Sequence, residues 1–354
     1  MSANLYETSL RIIKDNQTSG GAYIASPNFP HYKFCWFRDS SYIAYAMDSI
    51  ARNESSHLFH NWAVRTILLN AEKAERSIKK ATESLELNQD YLNARYRLNG
   101  QAEDDGWPNF QLDGYGTWLW ALKEHMQATG GRLNDEWKSA VRLASRYLSS
   151  LWSRPCYDHW EENREAVHVY TLISVYGGLK SAAELLKDEA LAAKAKEIQD
   201  YTLSRGVLNG HLIKDIGTDK VDGALVAAST PFRLLPPDDP IILSTVSLIE
   251  NHLRRNNGGV HRYETDTYYG GGEWVLLTAW LGWYYFEAGN PNKARRLLAW
   301  VEAQVNEKWE LPEQVPSSLN DPSFYEPWVK RWGAIAQPLL WSHAKYLILR
   351  SVLA

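Results

Sequence analysis

An all-α protein built as a toroid of six helical hairpins is the architecture that the 354-residue sequence predicts, and three observations point to it. Apolar residues recur at three-to-four spacing along most of the chain. Strand-type alternation is nearly absent. Connections between the helical segments alternate between long, aromatic-rich stretches and short polar ones.

The elements follow in order. Helices are expected near 4–15, 40–52 and 57–81, with Asp39 or Ser40 able to cap the second. A helix near 115–129 follows "QLDGYGTW", where Asp113 can start it. The clearest periodicity lies in "DEWKSAVRLASRYLSSLW" (135–152), which places Val141, Leu143, Ala144, Tyr147, Leu148 and Leu151 on one face. Helices near 165–187, 189–204, 222–229, 239–255, 273–288, 291–306 and 333–353 complete a set of twelve. "GVLNGHLIK" is a short strand pair. The short connections "TGGRLN" and "GNPN" each end in the Asn expected to open the next helix.

Long connections fall near 16–39, 82–114, 153–164, 205–221, 256–272 and 307–332. Alternation of long and short loops around six hairpins would bring the long ones to one face, where function is expected on a rigid scaffold. Weak repetition at roughly 50 to 70 residues agrees with this. No linker or low-complexity stretch divides the chain, so a single domain over 1–354 is expected.

Composition narrows the function classes. A formal net charge of −4 leaves no basic field for nucleic acid and no polybasic run for a membrane surface. The start of the chain has no signal-peptide pattern, and no run of 18 apolar residues occurs, so a cytoplasmic protein is expected. Two cysteines, Cys35 and Cys156, fit a reducing compartment and exclude a cysteine-rich zinc spacing. The sequence does not report an oligomeric state. The unusual feature is 16 Trp and 20 Tyr, with Trp36, Trp107, Trp160, Trp309 and Trp328 in segments that otherwise read as polar loops. Core packing explains any one of them. As a group beside acids and amides, they suit stacking on the apolar faces of sugars.

Each long loop carries sugar-compatible chemistry. In "PHYKFCWFRDSSY", Arg38 and Asp39 follow Trp36; capping alone would explain Asp39 but not Arg38, and together they can donate to one hydroxyl and accept from its neighbour. "EDDGWPNFQLDGYGTW" offers Trp107 and Asp113. "SRPCYDHWEENREAV" sets Trp160 before two acids, Glu161 and Glu162. "HRYETDTYYGGGEW" carries Arg262, Glu264, Asp266, Tyr268 and Tyr269 before three glycines that allow close backbone approach, with no phosphate-loop lysine after them. "KWELPEQVPSS" holds Glu310 and Glu313, and a solvated loop acid is the commoner fate of such residues.

Taken in order, "FCWFRDSS", "HWEEN", "RYETDTYYGGGEW", "LPEQV" and "PLLWSHAKY" resemble the signature regions of the glucoamylase-type glycoside hydrolases, family 15, over residues 20 to 350. The resemblance implies an (α/α)6 barrel. It also implies that Glu161 is the general acid and Glu313 the general base, and that Arg38 and Asp39 hold the non-reducing glucose. Arg262 and Trp274 would contact substrate, and Glu162 would contact the sugar beyond the scissile bond. Trp36, Trp160, Asp266 and Trp341 complete the implied substrate-binding set. "GWPNFQLDG" follows the family pattern loosely, so Trp107 and Asp113 join it on weaker matches. Neither a starch-binding domain after the barrel nor a β-sandwich before it is expected from these residues, which makes raw starch an unexpected substrate.

The pair of acids beside Trp160 has a mechanistic reading. A carboxyl that protonates a glycosidic oxygen must keep its proton near neutral pH, which desolvation or like charge achieves. Trp160 would supply the first and Glu162 the second, opposed by the N-terminus of a helix expected to begin near Asn163. Glu313 would activate water on the opposite sugar face; an inverting pair stands about 6.5–9.5 Å apart. No metal or cofactor is required. The implied activity is an inverting, exo-acting α-glucosidase that releases β-glucose from the non-reducing ends of short malto- or isomalto-oligosaccharides. Its alternatives are an α,α-trehalase and a non-catalytic sugar-binding or sensor barrel, the latter disfavoured by the presence of both glutamates.

Overall fold

The computed structural model describes residues 4–354. The chain divides into two compact units, one of Gln17–Ile24 with Phe34–Gly206, the other of the stretch ending at Asn16, Ala25–Lys33 and Val207–Ala354.

The first unit contains α2 (Phe37–Ser49), α3 (Asn53–Leu69), α4 (Ala71–Thr82), α5 (Asp113–Thr129), α6 (Asp135–Leu151), α7 (Val169–Leu186) and α8 (Glu189–Arg205). Helices α2, α5 and α7 are buried on almost every face, and α5 packs between the other two. Close approach of α5 to α7 depends on glycine, because a Cβ on Gly116 would lie 2.3 Å from the Ser174 carbonyl oxygen. Helices α3, α6 and α8 bury one stripe each; on α6 it consists of Trp137, Val141, Ala144, Leu148 and Leu151. Phe37, Tyr115 and Trp118 fill the centre, with the Phe37 and Tyr115 rings 4.7 Å apart.

The second unit repeats the arrangement. Its inner members are α10 (Val275–Glu287), α13 (Leu340–Leu353) and a fully buried 3₁₀ segment, Gly223–Ala228. Packed outside them are α1 (Leu5–Asp15), α9 (Pro240–Leu248) and α11 (Pro291–Glu302). A short helix, α12 (Tyr325–Trp332), lies in the last long loop.

Several expected boundaries move. The helix predicted at 57–81 is two helices, because the Asn70 side chain donates to the Thr66 carbonyl at 2.8 Å and closes α3 before α4 begins. The segment at 222–229 is 3₁₀ rather than α, started by Asp222 accepting from the Ala224 amide. The helix predicted at 239–255 gives way after Leu248 to a π turn, Ile249–Leu253. The one predicted at 333–353 starts at Leu340, and α12 lies within the connection expected near 307–332. Helix α2 starts at Phe37, so Asp39 lies inside its first turn and does not cap it. Asn134 does cap α6, whereas α11 is opened by Asn290, with Pro291 in its first turn, and not by the last Asn of "GNPN".

Strands among the described residues are two-residue pairs. In the first unit β1 (Cys35–Trp36) pairs with β2 (Arg95–Tyr96), joining the first two long loops. In the second, β3 (Val207–Leu208) and β4 (His211–Leu212) form the expected hairpin, turned by Asn209 and Gly210 with φ of 53° and 82°. There β5 (Glu273–Trp274) pairs with β6 (Gln314–Val315), joining the fifth and sixth long loops. No helix among the described residues is long and apolar enough to cross a membrane.

Candidate active site

Each unit carries a cluster of the residues singled out in the sequence. In the first, Glu161 sits in a turn built by Asp158. The buried Asp158 carboxylate accepts from the amides of Trp160 at 2.9 Å and Glu162 at 2.8 Å, while the Glu161 amide donates to the Asp158 carbonyl at 2.9 Å. Glu161 adopts a left-handed backbone in that turn, φ 69°, a conformation that costs a non-glycine residue energy. The expected helix at Asn163 does not form. The His168 ring, through Nε2–H, donates to the carbonyls of Cys156 (2.9 Å) and Asn163 (3.0 Å), folding 163–168 back as a loop, so α7 starts only at Val169. The predicted opposition between Glu161 and a helix N-terminus at that point is therefore removed.

Around the Glu161 carboxyl, the Trp36 indole N–H donates to Oε1 at 2.8 Å and Gln111 Nε2 approaches the same oxygen at 3.4 Å. Gln111 is held by Arg38, whose Nη1 donates to Gln111 Oε1 at 2.8 Å and to Asp113 Oδ2 at 3.0 Å. Arg38 Nε lies 3.5 Å from Asp39 Oδ2. Burial raises the Asp39 carboxyl to about 6; Arg38 opposes that rise and the charge of Glu161 adds to it. Trp107 meets Trp36 edge-on at 6.0 Å, and the Arg95 guanidinium lies over the Trp107 ring at 3.8 Å and the Phe34 ring at 4.0 Å. Asp105 anchors Arg95. Trp160 is buried with its ring 4.3 Å from His159, while Glu162, half-buried, joins the turn through its backbone.

In the second unit the buried Glu313 precedes β6. Its amide donates to the Ala336 carbonyl at 2.9 Å, and Tyr32 Oη donates to Glu313 Oε1 at 2.9 Å. Since that bond uses the Tyr32 proton, the Tyr268 hydroxyl, 3.2 Å away, donates to Tyr32. Burial first, and then the Glu313 charge, hold the Tyr268 phenol well above its ordinary range, so it remains a donor. The adjoining loop is fixed from α13, where Ser342 Oγ donates to the Pro312 carbonyl at 2.8 Å. The His343 Nε2 accepts from the Leu311 amide at 3.0 Å, which leaves Nδ1–H to donate to Ser9 Oγ at 2.8 Å. Trp341, also on α13, is buried.

Arg262 is bound by both oxygens of Asp266, with Nε to Oδ2 at 2.7 Å, and Asp266 also accepts from the Tyr268 amide at 2.9 Å. The Arg262 guanidinium faces the rings of Tyr268 at 5.2 Å and Trp274 at 5.3 Å. Asp266 thus orients Arg262 from within the protein. Glu264 stands outside this group, exposed beside His252, and Glu310 serves the backbone and side chain of Asn306.

Sequence reasoning did not single out Tyr32, Gln111, Arg95, Asp158, His168 or His343. Tyr32 and Gln111 lie in the first two long loops, where Gln111 adjoins Phe110 and Tyr32 stands between His31 and Lys33, and no spacing sets either apart. The remaining four act on backbone or on other side chains, which no spacing pattern reveals.

The model of the glycosyl hydrolases family 15 matches residues 4–313. An isomaltose glucohydrolase of Kribbella flavida is 39% identical over 96% of this chain and 89% of its own length. Trehalase 2 of Sulfolobus acidocaldarius is 26% identical over 83% of this chain, which spans 54% of that protein. A glycosidase solved in complex with glucose aligns with a TM-score of 0.94 at 38% identity, covering 99% of this chain and 96% of the other. A bacterial glucoamylase solved with acarbose aligns at 0.78 with 20% identity over 98% of this chain and 55% of its own, sharing the fold alone: the (α/α)6 barrel that the sequence predicts. The chain belongs to glycosyl hydrolases family 15 and is a glycoside hydrolase of glucoamylase type.

Proposed function

We propose that the protein is an inverting exo-acting α-glucosidase with Glu161 as general acid and Glu313 as general base, acting on short α-linked gluco-oligosaccharides of the isomaltose type. The observation that carries this reading is that each glutamate is held by a neutral aromatic donor: Glu161 by the Trp36 indole and Glu313 by the Tyr32 hydroxyl. The α-1,6 preference is supported by the 39% identity to an isomaltose glucohydrolase, against 26% to a trehalase.

Glu161 in its carboxylic form delivers a proton to the glycosidic oxygen as the bond to the anomeric carbon breaks. The carboxylate left behind accepts the Trp36 N–H. Glu313 takes a proton from water, whose oxygen attacks the anomeric carbon from the opposite face, so an α-linked substrate yields β-glucose. Arg38 with Asp39 offers a donor and an acceptor for adjacent hydroxyls of a terminal glucose, with Asp113 holding Arg38 from behind, and Arg262, oriented by Asp266, offers further donors to the substrate. Both cysteines are buried and free, which suits action in a reducing cytoplasm.

The test is proton NMR of the protein with isomaltose, maltose, trehalose and a maltodextrin. Early glucose from isomaltose, maltose and the maltodextrin should be enriched in the β-anomer over the equilibrium mixture, because the attacked residue leaves as β-glucose while any reducing-end glucose brings its own anomeric mixture. Release should be fastest from isomaltose, with glucose as the sole early small product from the maltodextrin. Enrichment in the α-anomer refutes the inverting assignment, early internal fragments refute the exo mode, and preference for trehalose refutes the linkage.

A further inference from the structure

At the far end of two helices that carry sugar-site residues lies a separate buried cluster. Asp48, near the end of α2, His60 on α3 and His125, near the end of α5, place one donor atom each within 4.8 Å of one another. Nine residues separate Asp39 from Asp48 and twelve separate Asp113 from His125. At 1.5 Å per residue those separations are roughly 13 and 18 Å along the helices.

The three side chains are not equally satisfied. Asp48 accepts from Ser56 Oγ at 2.7 Å, and His125 Nδ1–H donates to both carboxylate oxygens at 3.0 and 3.1 Å. His60 is fully buried, yet neither ring nitrogen makes a hydrogen bond among the described residues. An unsatisfied buried polar group costs about 1–3 kcal/mol and is uncommon in a folded protein, unless water or an ion completes it. The ring lies 4.9 Å from that of His125, with Trp137 as a further neighbour. His57, one turn earlier on α3, is exposed and stacks on Trp137.

We infer that Asp48, His60 and His125 form a structural binding site for one divalent transition-metal ion of the zinc class. Two imidazoles and one carboxylate are a donor set that such ions take, leaving a fourth position for water. Ligand atoms at about 2.0–2.2 Å from zinc stand roughly 3.3 Å from each other. The Asp48–His125 spacing already approaches this, and since all three donor atoms lie within 4.8 Å of one another, a shift of up to about 1.5 Å brings in His60. Ligation through Nδ1 takes the neutral Nε2–H tautomer of His125, so the proton that now faces Asp48 moves to Nε2. The Ser56 hydroxyl keeps the second carboxylate oxygen oriented, the kind of outer contact that fixes a ligand. The ion would tie together α2, α3 and α5 without touching substrate.

The experiment uses tag-free full-length protein, stripped with chelator and re-equilibrated with zinc sulfate alone. Mass spectrometry of the desalted protein should find one zinc per chain, and X-ray absorption should show a nitrogen and oxygen shell without sulfur, which separates this site from Cys35 or Cys156. Zinc in hundredfold excess over its Kd should raise Tm by about 3–5 °C. His60→Phe, which fills the buried space with an apolar ring, should fold, hydrolyse substrate at the wild-type rate and lose both the zinc and the Tm response. If wild type retains no zinc, if sulfur appears in the shell, or if His60→Phe binds zinc as wild type does, the inference is overturned.

Discussion

The indole N–H of Trp36 donates to Glu161 Oε1 over 2.8 Å, although 125 residues separate the two in sequence. The bond is worth most once Glu161 has lost its proton, when the acceptor carries full charge. Trp36→Phe should therefore lower kcat/KM on a disaccharide by roughly 10- to 100-fold, from a charged hydrogen bond of about 1.5–3 kcal/mol. On glucosyl fluoride, which leaves without a proton, the loss should be much smaller. Equal losses on both substrates would show that the indole acts only by packing.

The two carboxylates should separate by leaving group. Glu161→Gln should lose at least about 10²–10⁴-fold on isomaltose and recover much of that on an activated aryl α-glucoside or glucosyl fluoride. Glu313→Gln should lose a similar factor and recover little. Near-normal activity of Glu161→Gln with an inactive Glu162→Gln would move the acid one residue along the chain.

Tyr32→Phe removes the hydroxyl that donates to Glu313. Steady-state rates should fall by roughly 10-fold or more on the disaccharide and the fluoride alike, because the base serves water and not the leaving group. Rescue by the fluoride would instead assign Tyr32 to the acid side.

Asp39 links stability to pH. Its folded-state value, about 6, lies above that of an unfolded Asp near 3.9, so folding favours the protonated form. The penalty for ionising it is absent below about pH 4, grows from about pH 4 to 6 and is complete above that, at on the order of 2–3 kcal/mol. Relative to Asp39→Asn, the wild type should lose stability across that window. Urea unfolding of both proteins at about pH 4.5 and 7, on either side of most of that rise, measures the difference, and a constant gap would contradict it.

Arg38 stands between two buried acids. Arg38→Met should destabilise the fold by about 3–5 kcal/mol, since Asp39 and Asp113 lose their cation. Adding Asp113→Asn should restore part of that. A double variant no more stable than the single one would argue that Arg38 contributes through packing.

The all-α class was legible in the chain because the outer helices are amphipathic; on α6 the apolar spacing matches the buried stripe almost residue for residue. Boundaries were less legible where side chains compete with the backbone, as at Asn70, or where a distant ring captures carbonyls, as His168 does. Arg38, Asp39 and Glu161 stood out because charge beside tryptophan is costly unless used. Tyr32 did not, since its partner is 281 residues away and a tyrosine near other aromatics looks like core.

The hydrogen bonds from Ser9 through His343 to Leu311 join positions that the ribosome releases 334 residues apart. During synthesis α1 has no partner there until α13 has emerged, whereas every residue of the unit ending at Gly206 is already available. The loop bearing Glu313 thus gains its anchors only once α13 is available. A nascent chain can complete the surroundings of Glu161 before those of Glu313, and a messenger truncated before the α13 codons would yield a product whose Glu313 loop lacks the anchors from Ser342 and His343.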